Sequence, residues 1–352
     1  MYEINARSTL RAFLRRLETT GRTLTANGKA NMYAGRDQFT LRLRAAGSER
    51  HIVLKYTQIR AALQLTYYER TVTRKDLEVY TKGANSALLG VLIEIFASQG
   101  KITRSKTGLV RLTLRGVRYF VAGCDKSVQD LMVAVAAGAK FILLTYAHIR
   151  SQHAWKRHVD QLGLKVLLDS GAFTNWKAKK RGVPCPDILL EDYAKFIFDN
   201  RERLYAWFNL DIVGDPISSK RNEEYLRAAG LTPIPVWHAG GSLEVLRQMV
   251  NEDHAVIGIG GTVGMSERKR KQVFDEVFQL FPSQNFHFCG GSSRLLTQYE
   301  WFSADSIGWL APRMYGAIIT EKGQQKAPVS MSPIEAMFRS CKYLLSLEQV
   351  SQ

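Results

Sequence analysis

The spacing of apolar residues changes near residue 117, and this change predicts two domains. Beyond it, short apolar runs alternate with stretches that keep apolar residues at helical spacing. Strands are expected at 119–121, 141–145, 166–169, 205–211, 234–237, 256–259, 286–289 and 304–307, and helices between them at 128–137, 191–200, 243–250, 269–280 and 293–301. Eight such units predict a (β/α)8 TIM barrel at 117–352. A doubly wound open sheet is the alternative, but no Gly-x-Gly-x-x-Gly motif follows the first run.

The first 116 residues predict a smaller, basic α+β domain. Apolar residues alternate over 39–56 around a charged turn, which indicates a β-hairpin. A short helix is expected at 74–80, a longer helix at 85–98 and a second hairpin at 101–115. This order is that of a winged-helix module, which would offer the outer face of 85–98 to a DNA groove and Arg104 and Lys106 to phosphates. A helical cap with an exposed hairpin is the alternative.

Positive charge is concentrated in the first third of the chain. Residues 1–120 hold 22 Lys and Arg against 8 Asp and Glu, a net charge of +14, whereas the other 232 residues have a net charge of +3. Such an asymmetry is typical of a module that binds a polyanion, most simply nucleic acid. A membrane-surface role and a purely solubilising role are the alternatives.

Composition excludes several other classes of protein. An apolar content of 45% in 352 residues allows large cores and excludes global disorder. The longest apolar run, 131–137, is far shorter than the roughly 20 residues of a membrane helix, and the charged N-terminus lacks the apolar region of a secretory signal. The four cysteines form no Cys-x-x-Cys pair, so no disulfide framework or zinc knuckle is indicated. We therefore expect a cytoplasmic protein with reduced thiols and no membrane partner.

Carboxylates and glycines gather where the predicted strands end. The segments at the ends of strands three to eight of the barrel are Asp169-Ser170-Gly171-Ala172-Phe173, Asp211, His238-Ala239-Gly240-Gly241, Gly258-Ile259-Gly260-Gly261, Cys289-Gly290-Gly291-Ser292 and Asp305-Ser306. In a barrel these strand ends share one rim, where active sites are built. Glycines let the backbone approach a ligand, and carboxylates can bind a purine edge, transfer protons or attack an electrophilic carbon. The rim is therefore the predicted active site.

Taken in order, these segments resemble the motifs of the tRNA-guanine transglycosylase superfamily over residues 117 to about 315. Residues 169–173 are similar to the family's Asp-Ser-Gly-Gly-Phe/Tyr segment, with Ala172 in place of the second glycine. The stretch 142–148 is similar to the family's Asn-Thr-Tyr-His stretch.

The later segments extend the resemblance to the last strand. Residues 239–241 resemble the family's Gln-Gly-Gly, 260–262 its Gly-Gly-Leu and 289–291 its Met-Gly-x-Gly motif. The pair 305–306 is similar to the Asp-Ser/Cys segment that bears the nucleophile. Each match is weak alone, but six in the right order at strand ends are specific.

The resemblance implies a base-exchange glycosyltransferase. Asp305 would attack the sugar C1′ as guanine departs, and Asp169 would handle protons. The residues implied to hold the base are Asp211, Phe173, Ser170, Gly260, Gly261 and His238. The incoming free base is the co-substrate, and no other cofactor is expected.

Two departures favour one branch of the superfamily. The family's zinc motif, Cys-x-Cys-x-x-Cys with a distant His, has no counterpart, because Cys341 is the only cysteine after Asp305 and no histidine follows His287. No metal is therefore expected. Ala239 stands where the tRNA enzymes have a base-binding glutamine. With the basic N-terminal domain, these departures resemble the DNA-modifying branch of bacteria and phages, which replaces guanine in DNA with a 7-deazaguanine of the preQ0 type.

Simpler interpretations stay open at this point. Asp169 and Asp305 could cap the helices that follow them, Asp211 could bond loop amides, Phe173 could be a core aromatic, and His238 a hydrogen-bonded rim residue. For the whole protein, the alternatives are the same exchange on tRNA and a DNA-binding protein with an inactive barrel.

Overall fold

The computed structural model describes residues 4–105 and 107–348. The chain forms two compact units that divide between Arg115 and Gly116. Each unit has its own cluster of buried apolar side chains, so each has the core expected of an independent domain. Among the helices of the described ranges, none combines the length and apolarity that a bilayer span requires.

The first unit combines three helices with two antiparallel sheets. Its described helices are α1 (Ala6–Thr20), α2 (Tyr56–Glu69) and α3 (Asn85–Ile95), and its strands are β1 (Arg22–Leu24), β2 (Ala30–Arg36), β3 (Thr40–Ala45), β4 (His51–Lys55), β5 (Thr71–Thr73), β6 (Gly100–Arg104) and β7 (Val110–Leu114). The sheet orders are β1-β2-β3-β4 and β5-β7-β6. The β3–β4 and β6–β7 pairs confirm both predicted hairpins. Residues 74–80 form turns, so the short helix expected there is wrong.

Helix α3 is buried within its own unit. A Cβ atom at Gly90 would lie 1.8 Å from the carbonyl oxygen of Leu24, so β1 lies directly against the helix. The Glu94 carboxylate accepts hydrogen bonds from the Thr23 hydroxyl and the Leu24 N–H at 2.5 and 2.7 Å. The expectation that 85–98 offers its outer face to a DNA groove is therefore wrong, because α1 and β1 pack over it.

The second unit alternates strands and helices. Its described strands are β8 (Arg118–Ala122), β9 (Phe141–Thr145), β10 (Lys165–Asp169), β11 (Leu204–Trp207), β12 (Val236–His238), β13 (Ile257–Gly260), β14 (Phe286–Phe288), β15 (Ser303–Ser306), β16 (Ala317–Thr320) and β17 (Gly323–Lys326). Its helices are α4 (Val128–Ala136), α5 (Tyr146–Ile149), α6 (Ala154–Leu162), α7 (Ala172–Lys180), α8 (Leu190–Asn200), α9 (Pro216–Ala228), α10 (Leu243–Asn251), α11 (Glu267–Leu280), α12 (Ala311–Tyr315) and α13 (Pro333–Ser346). The predicted helix at 293–301 is wrong: only Arg294–Leu296 forms a single 3₁₀ turn.

Strands β8 to β15 form one curled parallel sheet of TIM-barrel-like topology. Their order is β11-β10-β9-β8-β15-β14-β13-β12. A parallel bridge joins Phe208 to Ile234, just beyond β11 and just before β12. The N–H of Ile234 donates to the Trp207 carbonyl oxygen, and the N–H of Asn209 donates to that of Ile234, each at 2.8 Å. The first and last strands in this order, β11 and β12, are therefore joined next to their ends by this bridge.

Side chains on these strands alternate between two environments. Tyr119 and Val121 belong to the apolar cluster beneath the helices, whereas Phe120 between them packs against the rings of Phe141 and Tyr205 at 5.8 and 5.6 Å. Because successive side chains of a strand point to opposite faces, these rings fill the inner face of the curled sheet. They form an apolar floor beneath the carboxyl ends of the strands.

Candidate functional site

The two predicted catalytic carboxylates share the inner face of the sheet. Asp169 ends β10, and Asp305 is the third residue of β15. Their chain neighbours Leu168 and Ala304 belong to the cluster beneath the helices, so the carboxylates point the other way. The structure thus brings together the two residues that sequence reasoning singled out as catalytic.

Asp169 has an environment suited to proton transfer. Burial, followed by the negative charges of Asp305 and Asp211, raises its pKa to about 7, although hydrogen bonds from the Gly171 N–H and the Thr145 side chain oppose this shift. Near neutral pH both protonation states are then populated, so this carboxyl can donate and accept a proton. It does not cap the next helix, since Gly171 is the N-cap of α7.

Asp305 is held by one of its two oxygens. Its Oδ1 atom lies 2.9 Å from Nε2 of His287 and accepts from the Gly290 N–H at 3.3 Å. Nδ1 of the same ring lies 2.9 Å from the Ser303 hydroxyl. If that hydroxyl donates to Nδ1, the Nε2–H of a neutral ring donates to the carboxylate. Among residues 4–105 and 107–348 no group donates to Oδ2, which leaves this oxygen available for chemistry.

Asp211 and His238 form a second polar pair at the rim. Nε2 of His238 lies 2.5 Å from Oδ2 of Asp211, whose side chain is buried. The imidazole packs against β13, where a Cβ atom at Gly260 would lie 3.3 Å from its Nδ1 atom and 2.9 Å from Val236 Cγ1. The pair therefore fixes one oxygen of Asp211 and orients the other.

Three predicted base-binding residues have packing roles at the rim. The Ala239 N–H donates to the Gly260 carbonyl oxygen at 2.9 Å, and a Cβ atom at Gly261, where φ is +71°, would lie 3.1 Å from the Ala239 nitrogen. The buried Ser170 hydroxyl accepts a long, 3.4 Å hydrogen bond from the Ala172 N–H at the start of α7. Close packing of β12 on β13 and the turn into α7 thus account for these residues.

Phe173 is not a core aromatic. It lies on α7 with 39% of its surface exposed, and its ring stacks on that of Trp176 with centroids 5.8 Å apart and planes inclined by 24°. Because α7 follows Asp169 directly, an exposed aromatic pair stands at the edge of the acidic site.

Cys289 lies among the three carboxylates but is a poor nucleophile. Burial, with the charges of Asp305, Asp169 and Asp211, raises its pKa well above the usual value for a thiol. A thiol kept protonated neither attacks carbon nor binds a metal readily. Cys289 is therefore a weaker candidate nucleophile than the carboxylates.

Two groups of side chains in the described residues have donor atoms within 4.8 Å of one another, as metal ligands do. They are His287, Cys289 and Asp305 at the rim, and Glu223, Glu252 and His254 between α9 and the end of α10. In the first group, the Nε2 atom would have to give up its hydrogen bond and the thiol its proton. In the second, Lys220 and Arg227 already pair with the carboxylates at 2.6 and 2.7 Å. The expectation of no metal stays a prediction.

Sequence reasoning missed the residues that support the two candidate catalytic carboxylates. His287 and Ser303 occupy neighbouring inner positions of β14 and β15 and are paired in register. Thr145 pairs with Asp169 between β9 and β10. The available signal was a lone polar residue between two phenylalanines at 286–288.

Exposed cations are spread over the first unit, and those on β6 and α1 bear on nucleic-acid binding. Arg104 ends β6 and is exposed, with its guanidinium 3.4 Å from Asn27 Oδ1; Lys106 lies outside the described residues. On α1, Arg7, Arg11 and Arg15 are exposed at four-residue spacing, opposite a buried apolar face. Sequence reasoning did not single out this arginine stripe as a site.

Comparisons with known proteins leave the function open. No protein-family model matches the chain, and no curated protein matches it. A solved structure described as "Native KDPGal structure" is 9% identical with a TM-score of 0.38, covering 64% of this chain and 92% of its own. A protein from Aquifex aeolicus VF5 is 10% identical with a TM-score of 0.41, covering 67% of this chain and 95% of its own. Tryptophan synthase from M. tuberculosis is 10% identical with a TM-score of 0.40, covering 66% of this chain and 93% of its own. At these scores the fold assignment rests on the strand order alone.

Proposed function

We propose that this chain exchanges guanine in DNA for a free 7-deazaguanine base through a covalent bond between Asp305 and the sugar. The observation that carries the proposal is that two carboxylates on the same face of the sheet have different environments. Asp305 has one oxygen fixed and one without a described partner, and Asp169 has a pKa of about 7. One group suits nucleophilic attack and the other suits proton transfer.

In the first step, Oδ2 of Asp305 attacks C1′ while the glycosidic bond to guanine breaks. Protonated Asp169 gives its proton to the departing base, so guanine leaves neutral and a sugar ester of Asp305 remains. In the second step, N9 of the incoming base attacks C1′ and displaces the ester. Asp169, now a carboxylate, accepts the proton from N9, and both acids return to their starting states.

The base would be held between the rim residues. Oδ2 of Asp211 is occupied by His238, so its other oxygen would accept from the N–H groups of the purine edge. Phe173 would stack on the ring. Backbone groups of Gly260 and Gly261, with Ser170, would complete the pocket. The preQ0-type base is the only co-substrate required.

The first unit would bind the DNA as a basic, winged-helix-like module. Its β5-β7-β6 sheet, with the hairpin of β6 and β7, supports this proposal, although the buried α3 cannot act as a groove-reading helix. Exposed Arg104 and the arginine stripe of α1 would contact phosphates. Because a paired base cannot reach the rim, the target guanine would be flipped or single-stranded.

The direct test is incubation of the purified chain with guanine-containing DNA and the 7-deazaguanine preQ0, followed by nucleoside mass spectrometry. Unmodified tRNA is the parallel substrate and Asp305→Asn the negative control. Incorporation into DNA supports the proposal. Preferential incorporation into tRNA would overturn the DNA assignment, and no incorporation into either, with DNA binding retained, would favour an inactive barrel.

A further inference from the structure

Helix α7 is an unusual element of this fold because none of its residues is buried. A barrel helix normally buries an apolar stripe against the sheet. Here Ala172 packs against the apolar core, and polar contacts with the following loop hold the rest of the helix: the Asn175 side-chain amide donates to the Pro186 carbonyl oxygen at 2.9 Å, and Lys179 pairs with Asp187 at 2.6 Å. The helix is thus fixed in place while its surface is left uncovered.

Its exposed surface carries a flat aromatic platform. Phe173 and Trp176 are each 39% exposed and stack nearly in parallel. The Lys180 ammonium lies 5.1 Å from the Trp176 ring centroid. Exposed aromatic faces beside cations are the features with which proteins bind unpaired bases.

The charge of the helix also suits a polyanion. Residues 172–182 contain Lys177, Lys179, Lys180 and Arg181 and no acidic residue. Lys179 has a carboxylate partner, but neither Lys177 nor Arg181 forms an ion pair with any residue that the structure describes. These cations belong to the segment that follows Asp169 in the chain, whereas the site itself is lined by three carboxylates, which would repel phosphates.

We propose that α7 is the docking platform for the single-stranded nucleotides that flank the target base. One flanking base stacks on Trp176, while Lys177 and Arg181 contact the phosphates beside it. The inference rests on the proposed function for the presence of a nucleic acid at this rim. It adds a second contact surface, on the barrel, to the basic first unit. A single strand is required because bases in a duplex have no free face for the indole.

The test measures the affinity of the full chain for a fluorescein-labelled 12-nucleotide single strand, made as DNA and as RNA. Trp176→Ala should weaken binding about tenfold, and Trp176→Phe should stay within about twofold of wild type. The double variant Lys177→Ala/Arg181→Ala should flatten the plot of log K against log salt by about 1.4, because two phosphate contacts are lost. Circular dichroism checks that each variant folds.

Phe198→Ala is the matched control. This ring on α8 is 43% exposed and has the Arg201 guanidinium 5.6 Å from its centroid, but it lies near the start of β11, at the opposite end of the strands. Its loss should leave the affinity unchanged. Equal affinities for wild type and Trp176→Ala, with base exchange intact, would overturn the platform and leave the proposed function standing. A tenfold loss in a chain without exchange activity would support the platform and count against the chemistry.

Discussion

The Nε2 atom of His287 lies 2.9 Å from Oδ1 of Asp305, and the same ring is held on its other side by Ser303. This three-residue chain fixes the carboxylate from within the curled sheet. It points one oxygen toward the fixed donors and leaves the other without a donor among the described residues. The arrangement gives a strand residue the orientation that a nucleophile needs.

Asp305→Asn should abolish base exchange while folding and DNA affinity stay close to wild type. A carboxamide keeps the shape of the side chain but is a far poorer nucleophile. Exchange measured by nucleoside mass spectrometry should vanish, with DNA affinity and thermal unfolding as controls. Covalent capture of DNA by this variant at the wild-type rate would contradict the assignment.

Ser303→Ala should lower kcat about tenfold with little change in KM for the free base. Without the hydroxyl, His287 is no longer held with its Nε2–H toward Asp305, and one hydrogen bond of about 1 to 1.5 kcal/mol is weakened. Steady-state kinetics measure whether kcat falls while KM stays unchanged. Ser340→Ala changes another buried serine, on α13, and is the control. Equal kinetic effects of the two changes would show that Ser303 is merely structural.

Asp169→Asn should stabilise the protein at pH 8 by about 2 to 4 kcal/mol while abolishing turnover. The folded pKa of about 7 lies above the ordinary value of 3.8, so the fold favours the protonated acid. Stability from this group is complete below about pH 4 and is lost as the pH rises through 7. Urea unfolding from pH 4 to 9 should show the gain at high pH only. A gain of the same size at pH 4, or one reproduced by the exposed Asp199→Asn, would contradict this account.

Asp211→Ala should raise KM for the 7-deazaguanine about tenfold or more and weaken discrimination against guanine. The change removes an acceptor for the purine edge and leaves His238 without its partner, and each unpaired buried group costs about 1 to 3 kcal/mol. Competition between the two bases in the exchange assay measures the discrimination. Ala239→Gln, which restores the amide of the tRNA enzymes, should shift base preference without creating activity on tRNA.

Arg104→Glu with Lys106→Glu should weaken DNA binding for all sequences alike and reduce its salt dependence. Phosphate contacts carry no sequence information, and each lost contact lowers the salt slope by about 0.9 for duplex DNA. Affinities measured over a range of salt concentrations, with two unrelated sequences, test this. The isolated segment 1–116 should also bind DNA at low salt. If it does not, its charge serves only solubility.

Short apolar runs located all eight barrel strands to within a few residues, because a strand covered by helices on one face and filled on the other is apolar at nearly every position. The same reasoning selected Asp169 and Asp305, which lie on one face of the sheet, since strand ends are visible in the sequence. It missed His287, whose role depends on the register with Ser303 in the next strand. Register is a property of pairing and cannot be read from one strand.

Helix α3 shows a different kind of error. Residues 87–92 are all buried, and a helix that is apolar all round is an interior helix, so its pattern already argued against an exposed recognition role. The opposite holds for α7, whose residues have no apolar periodicity to reveal a helix. Its proposed role depends on the position of Phe173 and Trp176 on the helix that follows Asp169, which required the fold.

The closure of the curled sheet has a mechanical consequence. Where β11 and β12 meet, the bridge of Phe208 with Ile234 is the only β-bridge among the described residues. We therefore expect the sheet to open locally at this seam more readily than elsewhere. The bond between Asp211 and His238 spans the same seam from the rim side. A purine bound to Asp211 would then stabilise the pairing of β11 with β12, so that binding of the base and closure of the sheet would be coupled.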